Sequence, residues 1–341
     1  MTSFFPSLAC SVLFLAPMPV FSKEMPSPYP APESGLRLTP PESPAPLLNE
    51  PRLFGARPGS PIQFSVCASG ERPMSFAAAK LPPGLKLDKE TGIITGKISR
   101  PGVYSFPVQA SNSHGKTQGT ITIRIGQEIC LTPPMGWSSW YSYSGGVSQE
   151  NILKTARLLV NSGLARYGYS YVNIDDCWQG ARGGKYRAIQ PNKRFPDMKA
   201  MCNEIHSLGL KAGIYSSPWM GTYAGYIGGS SPNPQGDYSS LALPENKRPQ
   251  PDQLFGACPG SKQLGATKVG PVWMVTQDAR QWAEWGFDYV KMDWYLIDVP
   301  NTERIASDLK KSGRDIVLSV SNSTPFEIAG PISKITNVWP V

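Results

Sequence analysis

The chain has 341 residues, 40% hydrophobic and 17% charged, a balance that supports buried cores and excludes an intrinsically disordered polymer. Its formal charge of +8 is spread over short basic groups such as those at 192–194 and 309–311. With no long basic run and no basic–aromatic interleaving, nucleic acid is not an expected partner.

In chain order, the first feature is an apolar run at 8–16, too short to span a bilayer, followed by small residues up to Ser22 and the first charge at Lys23. Residues 1–22 are therefore expected to be a cleaved signal peptide, which places the protein outside the cell, in the periplasm or at the cell surface. Cys10 lies inside the run and not after it, which argues against a lipid anchor, and no membrane span is expected. Removing this segment leaves Cys67, Cys130, Cys177, Cys202 and Cys258. Their odd number and the lack of any CxxC spacing indicate neither a disulfide framework nor a zinc site, so no metal or cofactor is expected.

Residues 23–50 are rich in Pro and Ser and suit an extended linker. Residues 51–126 carry short alternating runs at 62–68, 84–98, 102–110 and 119–125. In the last two, Tyr104, Phe106, Val108 and Ala110 share one face, as do Ile121, Ile123 and Ile125. A small immunoglobulin-like β-sandwich is expected there, and the segment is similar to the immunoglobulin-like modules found beside secreted bacterial enzymes. His114 falls in one of its turns.

From 127 onward, strands alternate with helices. Strands are expected at 135–140, 169–178, 210–217, 287–294 and 315–322, and helices include 148–163 and 195–209, each stopped by a glycine. The class is α/β. No glycine-rich loop follows the first strand, so an incomplete (β/α)8 barrel of about five to six repeats, covering 127–341, is favoured over a doubly wound sheet. Polar exceptions then fall at strand C-terminal ends, the active rim of such barrels: Asp175 and Asp176, Tyr215, Lys291 and Asp293, and Asn322. Lys291 and Asp293 are two apart and so share a face. They read either as a structural ion pair or as a catalytic carboxylate with a cationic neighbour. The chain has only two histidines, His114 and His206, and no Ser–His pair, which argues against hydrolytic triads. Carboxylates for hydroxyls and aromatics for C–H faces are the materials of a carbohydrate pocket.

The motifs LTPPMGWSSW (131–140), YSYVNIDDCW (169–178), LKAGIYSS (210–217) and DYVKMDW (288–294), in this order and spacing, resemble glycoside hydrolase family 27, the melibiase or α-galactosidase family. The resemblance runs from about residue 131 to the end. It implies that Asp293 is the nucleophile of a retaining α-glycosidase and that Lys291 binds a sugar hydroxyl beside it. By the same resemblance Trp137 walls the pocket, Asp175 and Asp176 hold the galactose 4- and 6-hydroxyls, and Tyr215 lines that subsite. Lys291 is expected to lower the pKa of Asp293 and keep it ionised at neutral pH.

Departures from the family pattern matter too. Where family members commonly join two loops by a disulfide, this chain has Tyr223 and Tyr295. Where many present a Glu to the sugar 2-hydroxyl, it has Asn322 or its neighbours. A long insert spans 228–272. The family's acid/base is an Asp shortly after a Trp-Arg pair on the sixth strand, whereas here Trp339 is followed by Pro340 and Val341. Asp298 and Glu327 lie beyond strand ends and are poor substitutes. The resulting expectation is a secreted retaining α-galactosidase whose acid/base is absent from the chain, so that unactivated substrates are not turned over. Alternatives are the same barrel acting on α-N-acetylgalactosaminides or β-L-arabinopyranosides, or a non-catalytic carbohydrate-binding protein.

Overall fold

The structure is a computed structural model that describes residues 41–238, 266–321 and 324–339. The expected signal peptide, most of the linker, Asn322, Cys258 and the middle of the 228–272 insert lie outside the described residues.

Two sheets form the sandwich. In one, Leu53–Ala56, Gly115–Ile125, Gly102–Asn112 and Ser75–Ala78 lie side by side in that order; the other orders Ile62–Ser65, Ile93–Gly96 and Leu85–Leu87. The alternation seen in the sequence sets the inner faces, because side chains two apart in a strand share a face. Phe106, Val108, Ala110, Ile121, Ile123 and Ile125 are all buried, and Ile94, Phe64 and Ile62 meet them in one core. The pairing begins earlier than residue 51. Leu47–Leu48 pairs antiparallel with Ala68–Ser69, so the end of the stretch taken as linker is part of the fold. Its proline content did not prevent pairing because Leu47 and Leu48 themselves follow the last proline of the run.

The second half is a parallel sheet of five strands: β1 (Met135–Ser138), β2 (Tyr169–Asn173), β3 (Lys211–Ser216), β4 (Tyr289–Asp293) and β5 (Val317–Ser321). They are hydrogen-bonded in chain order. Helices α1 (Gln149–Asn161), α2 (Met198–Ser207), α3 (Val275–Trp285) and α4 (Val299–Lys311) connect them. Each helix buries one stripe at helical spacing, such as Ile152, Ala156 and Leu159 on α1 or Met198, Met201, Cys202 and Ile205 on α2. These stripes pack on Val172, Ile214, Val290, Met292, Leu318 and Val320 of the sheet. Side-chain caps start three of the helices: Ser148 accepts from the Asn151 amide, Asp197 from Ala200 and Asp298 from Asn301. Beyond β5, the Val320 amide donates to the Val338 carbonyl at 3.0 Å, where a sixth strand position begins.

An element absent from the sequence reading follows β2, an antiparallel hairpin of Gln179–Gly183 and Ala188–Pro191. The second strand also stops earlier than expected. Asp175 and Asp176 lie two and three residues past its end at Asn173, in the loop that leads to this hairpin.

The sandwich docks on the N-terminal end of the sheet. Gln63 Nε2 donates to the carbonyls of His206 (3.1 Å) and Leu210 (2.9 Å), Ser65 Oγ donates to Gly209 (2.8 Å), and Arg57 pairs with Asp315. Those partners sit at the end of α2 and in the turns that lead into β3 and β5. The C-terminal strand ends, opposite this seam, carry Tyr215, Lys291 and Asp293.

Candidate active site

Register brings the polar side chains together. Tyr215 on β3 lies opposite Lys291 on β4, and Asp293 two residues on lies opposite Ser321 of β5. Nothing larger than glycine fits at position 213, where a Cβ would stand 1.9 Å from Asn173 Oδ1. Lys291 Nζ then donates to Asp175 Oδ2 at 2.9 Å and stands 3.7 Å from Asp293 Oδ2. The lysine ammonium also lies 5.2 Å from the centre of the Tyr215 ring, over its face.

Each carboxylate is held by further donors. Asp175 Oδ2 accepts from Ser138 Oγ at 3.1 Å, while its Oδ1 accepts from the Asp176 amide at 2.9 Å. The Asp175 amide in turn donates to Ser139 Oγ. Asp176 accepts from the Cys177 amide at 2.8 Å and from the Ala224 amide at 3.0 Å, with the Thr222 hydroxyl as a third donor. Asp293 accepts from the Tyr215 hydroxyl. Trp178 Nε1 donates to the Tyr215 carbonyl at 2.8 Å and fixes the end of β3. Trp137, half-buried on β1, packs edge-on against Tyr143 with 5.8 Å between ring centres.

The electrostatics correct one expectation. Burial raises the Asp293 carboxyl above its ordinary value; Lys291 pulls it down, Asp175 pushes it further up, and the balance stays upward. The sequence reading weighed the lysine alone. The residue is 8% exposed and has a second carboxylate nearby, so desolvation and like charge outweigh one cation that is shared with Asp175. Burial likewise pushes Asp176 up to about 6, against the pull of the Ala224 amide and the Thr222 hydroxyl. Lys291 goes the other way from a buried lysine: burial disfavours its charge, but Asp175 and Asp293 hold it above its usual range.

Residues 132–235 match the family described as alpha galactosidase A, and residues 45–126 match the one described as "Putative Ig domain". The first part of the barrel segment is thus similar to the melibiase family. Among relatives, alpha-galactosidase A of Cellvibrio japonicus is 32% identical over 212 residues, 60% of this chain and 42% of that protein. The alpha-galactosidase of Coffea arabica is 29% identical over 215 residues, 61% of this chain and 46% of that one. A Bacteroides fragilis structure described as a "putative alpha-galactosidase" superposes with a TM-score of 0.71 at 30% identity, covering 87% of this chain and 56% of that chain. The chain spans less than half the length of these two curated relatives.

Asp175, Asp176, Tyr215, Lys291 and Asp293 converge on one end of the sheet. Trp137 sits on the neighbouring first strand, and Asn322 lies outside the described residues. The sequence reading missed Ser138, Ser139, Thr222 and the Ala224 amide, which orient the two aspartates. Ser138 and Ser139 were visible inside the 131–140 motif, but short hydroxyl residues are too common to stand out without their partners. Tyr223 packs edge-on against Trp219 at 5.0 Å and Tyr295 is exposed, while Cys67, Cys130, Cys177 and Cys202 are free thiols. Among the described residues, no group of three or more His, Cys, Asp or Glu is placed to hold a metal ion. A cavity lined by Phe54, Gln63, Cys67, Tyr171 and Lys211 lies at the sandwich seam, at the end of the sheet away from these carboxylates.

Proposed function

We propose that this protein is the sugar-binding and nucleophile-bearing part of a retaining α-galactosidase. The observation that carries the reading is Lys291 Nζ standing between Asp175 and Asp293 at the C-terminal end of a parallel sheet. In this reading the sugar hydroxyls meet Asp175, Asp176 and Lys291, with Tyr215 beneath. An Asp293 oxygen attacks the anomeric carbon, the bond to the leaving oxygen breaks, and a glycosyl ester forms. Lys291 and the Tyr215 hydroxyl favour the ionised nucleophile; burial opposes them, and so the carboxylate is less strongly solvated than one in water.

A retaining mechanism also needs a second carboxyl group about 5 to 5.5 Å from the first, to protonate the leaving oxygen. Among the described residues, Asp298 is committed to capping α4 and Glu327 is exposed to solvent. Asp175 and Asp176 already accept several hydrogen bonds each as part of the sugar-binding set. We infer that these residues by themselves support glycosylation of Asp293 by an activated substrate, whose leaving group needs no proton, and not turnover of ordinary galactosides.

The test is to incubate the 341-residue chain with an activated aryl α-galactoside and look by mass spectrometry for a hexosyl unit on Asp293. The label should appear in the native chain and vanish in Asp293→Asn, which should still bind galactose. Multiple turnovers of raffinose by the native chain would show that another group supplies the acid. Running α-N-acetylgalactosaminide and β-L-arabinopyranoside analogues in parallel separates the sugar specificities, and binding without any label would favour a carbohydrate-binding protein. Export is part of the proposal on the strength of residues 1–22. The exported protein should begin near Lys23 by N-terminal sequencing, and retention of Met1 would contradict it.

A further inference from the structure

Cys177, the residue after Asp176, lies in the left-handed region at φ 81°, where a side chain other than glycine is rarely found. Its amide is one of the donors to Asp176, so the backbone turn at Cys177 decides where that donor points. A left-handed residue with a Cβ is disfavoured and persists only where its surroundings hold it. Here the hold is on the carbonyl. Asn192 Nδ2 donates to the Cys177 oxygen at 2.9 Å, and the Arg194 guanidinium donates to the same atom.

Arg194 reaches further. Its other terminal nitrogen donates to the Gly145 carbonyl, between β1 and α1, and the side chain also donates to the Tyr226 hydroxyl, in the loop after β3. Tyr226 closes a turn with Thr222: its amide donates to Thr222 Oγ1 at 3.1 Å, and its carbonyl accepts from the Thr222 amide at 2.8 Å. With its oxygen accepting from that amide, the Thr222 hydroxyl keeps its proton for Asp176, and Ala224 in the same turn supplies the remaining donor. One guanidinium thus joins the segments that follow β1, β2 and β3, and all three donors to Asp176 lead back to it. Its acceptors are two carbonyls and a phenol oxygen, none of them a carboxylate, so what the side chain supplies is the fixed geometry of a planar fork. Arg194 is braced in turn, its amide donating to Asn192 Oδ1 and its carbonyl accepting from the Gln149 amide, both at 3.0 Å.

Resting on the galactoside reading above, we infer that Arg194 is a positioning residue of the sugar site, holding Cys177 and the 222–226 turn so that Asp176 meets the sugar in one fixed orientation. It acts through Cys177 and Tyr226. Without it Cys177 is free to leave the left-handed region and the turn loosens, so Asp176 loses donors that favour its carboxylate. Asp175, Tyr215, Tyr226, Lys291 and the Cys177 thiol also face Asp176, and a substitution at 194 leaves all of them in the chain. Galactose affinity should therefore weaken and should begin to fall at a higher pH, because a carboxyl with fewer donors takes up its proton more readily.

The test measures galactose affinity by NMR between pH about 5 and about 8 in the full 341-residue chain and its variants, with hydrogen exchange of the Cys177 amide as a second readout. Arg194→Met should weaken galactose binding about tenfold at neutral pH, the scale of one released left-handed residue. It should also move the fall in affinity to higher pH and speed exchange at Cys177. Arg194→Lys keeps the charge but has no planar fork, and should share these changes. Arg57→Met, which breaks an ion pair at the far end of the sheet, should lower stability and leave all three readouts as they are. Native affinity and pH dependence in Arg194→Met, or full recovery in Arg194→Lys, would overturn the positioning role. So would weaker binding with unchanged pH dependence and unchanged Cys177 exchange, which would make the residue a structural brace only. Should Arg194→Met not fold, Arg194→Lys decides by the same readouts. No galactose binding by the native chain, with the Cys177 amide protected, would overturn the galactoside reading and the role with it.

Discussion

Asp176 shows how one buried carboxyl couples the fold to the site. Burial pushes it up to about 6, against donors that favour its charged form. The unfolded value is about 4, so the folded state binds the proton more tightly. Any stability contributed by the protonated form is complete below pH about 4 and is lost as pH rises through about 6. On the proposed function sugar binding runs the other way, because only the carboxylate accepts from hydroxyls on both oxygens. Galactose affinity should therefore fall as pH drops below about 6, approaching about tenfold per pH unit, and the dependence should disappear in Asp176→Asn. Titrations at several pH values between 4.5 and 7.5 would check this. A flat profile in the native chain would mean that Asp176 does not touch the sugar.

At the scale of elements, the hairpin after β2 is held by a buried fork. Arg182 donates to both oxygens of Asp278 on α3, at 2.7 and 3.0 Å, and also to the Gly228 carbonyl at 2.9 Å. The Ile189 amide completes the set on Asp278, and the Arg182 amide donates to Pro234. Hairpin, helix and the loop after β3 are thereby tied at one point, and that loop carries the Thr222 and Ala224 groups that orient Asp176. Side-chain exposures of 5% and 0% make the pair costly to break, since a lone buried charge would remain. Asp278→Ala should lower stability by about 3 to 5 kcal/mol. It should also weaken galactose binding, while Arg182→Met with Asp278→Leu should recover most of the stability. Denaturant unfolding and galactose titration read both effects; a loss below about 1 kcal/mol would show the fork to be dispensable.

At the scale of the whole molecule, the two ends of the parallel sheet are specialised. The N-terminal end is given over to docking and buried charge. Asp288, between α3 and β4, accepts from the Ala212 amide and pairs with His206 at 2.7 Å and Arg314 at 2.6 Å. Burial opposes its charge, but Lys211, His206 and Arg314 outweigh burial and hold its carboxyl well below the usual range. Above this cluster, Gln63 and Ser65 of the sandwich satisfy the turn carbonyls around Gly209. The C-terminal end carries the carboxylates and Lys291. In such barrels the first end serves stability and the second serves function, and the sandwich here supports the first without obstructing the second.

Local periodicity was enough to place most elements. The two-residue alternation of Ile121, Ile123 and Ile125 and the helical spacing of Ile152, Ala156 and Leu159 depend only on backbone geometry, so the sequence by itself determined the sandwich, the strand–helix alternation and the end of each strand where polar residues gather. It also put Lys291 and Asp293 on one face. Tertiary structure decided the partners. Lys291 makes its shorter contact with Asp175, 116 positions away, and not with its sequence neighbour Asp293, because the register of three strands sets those distances. The direction of the Asp293 shift, the Arg182–Asp278 fork and the pairing of Leu47–Leu48 were hidden for the same reason. Each depends on how far a group is withdrawn from water and on which distant side chain meets it there, and a linear pattern of residue types encodes neither.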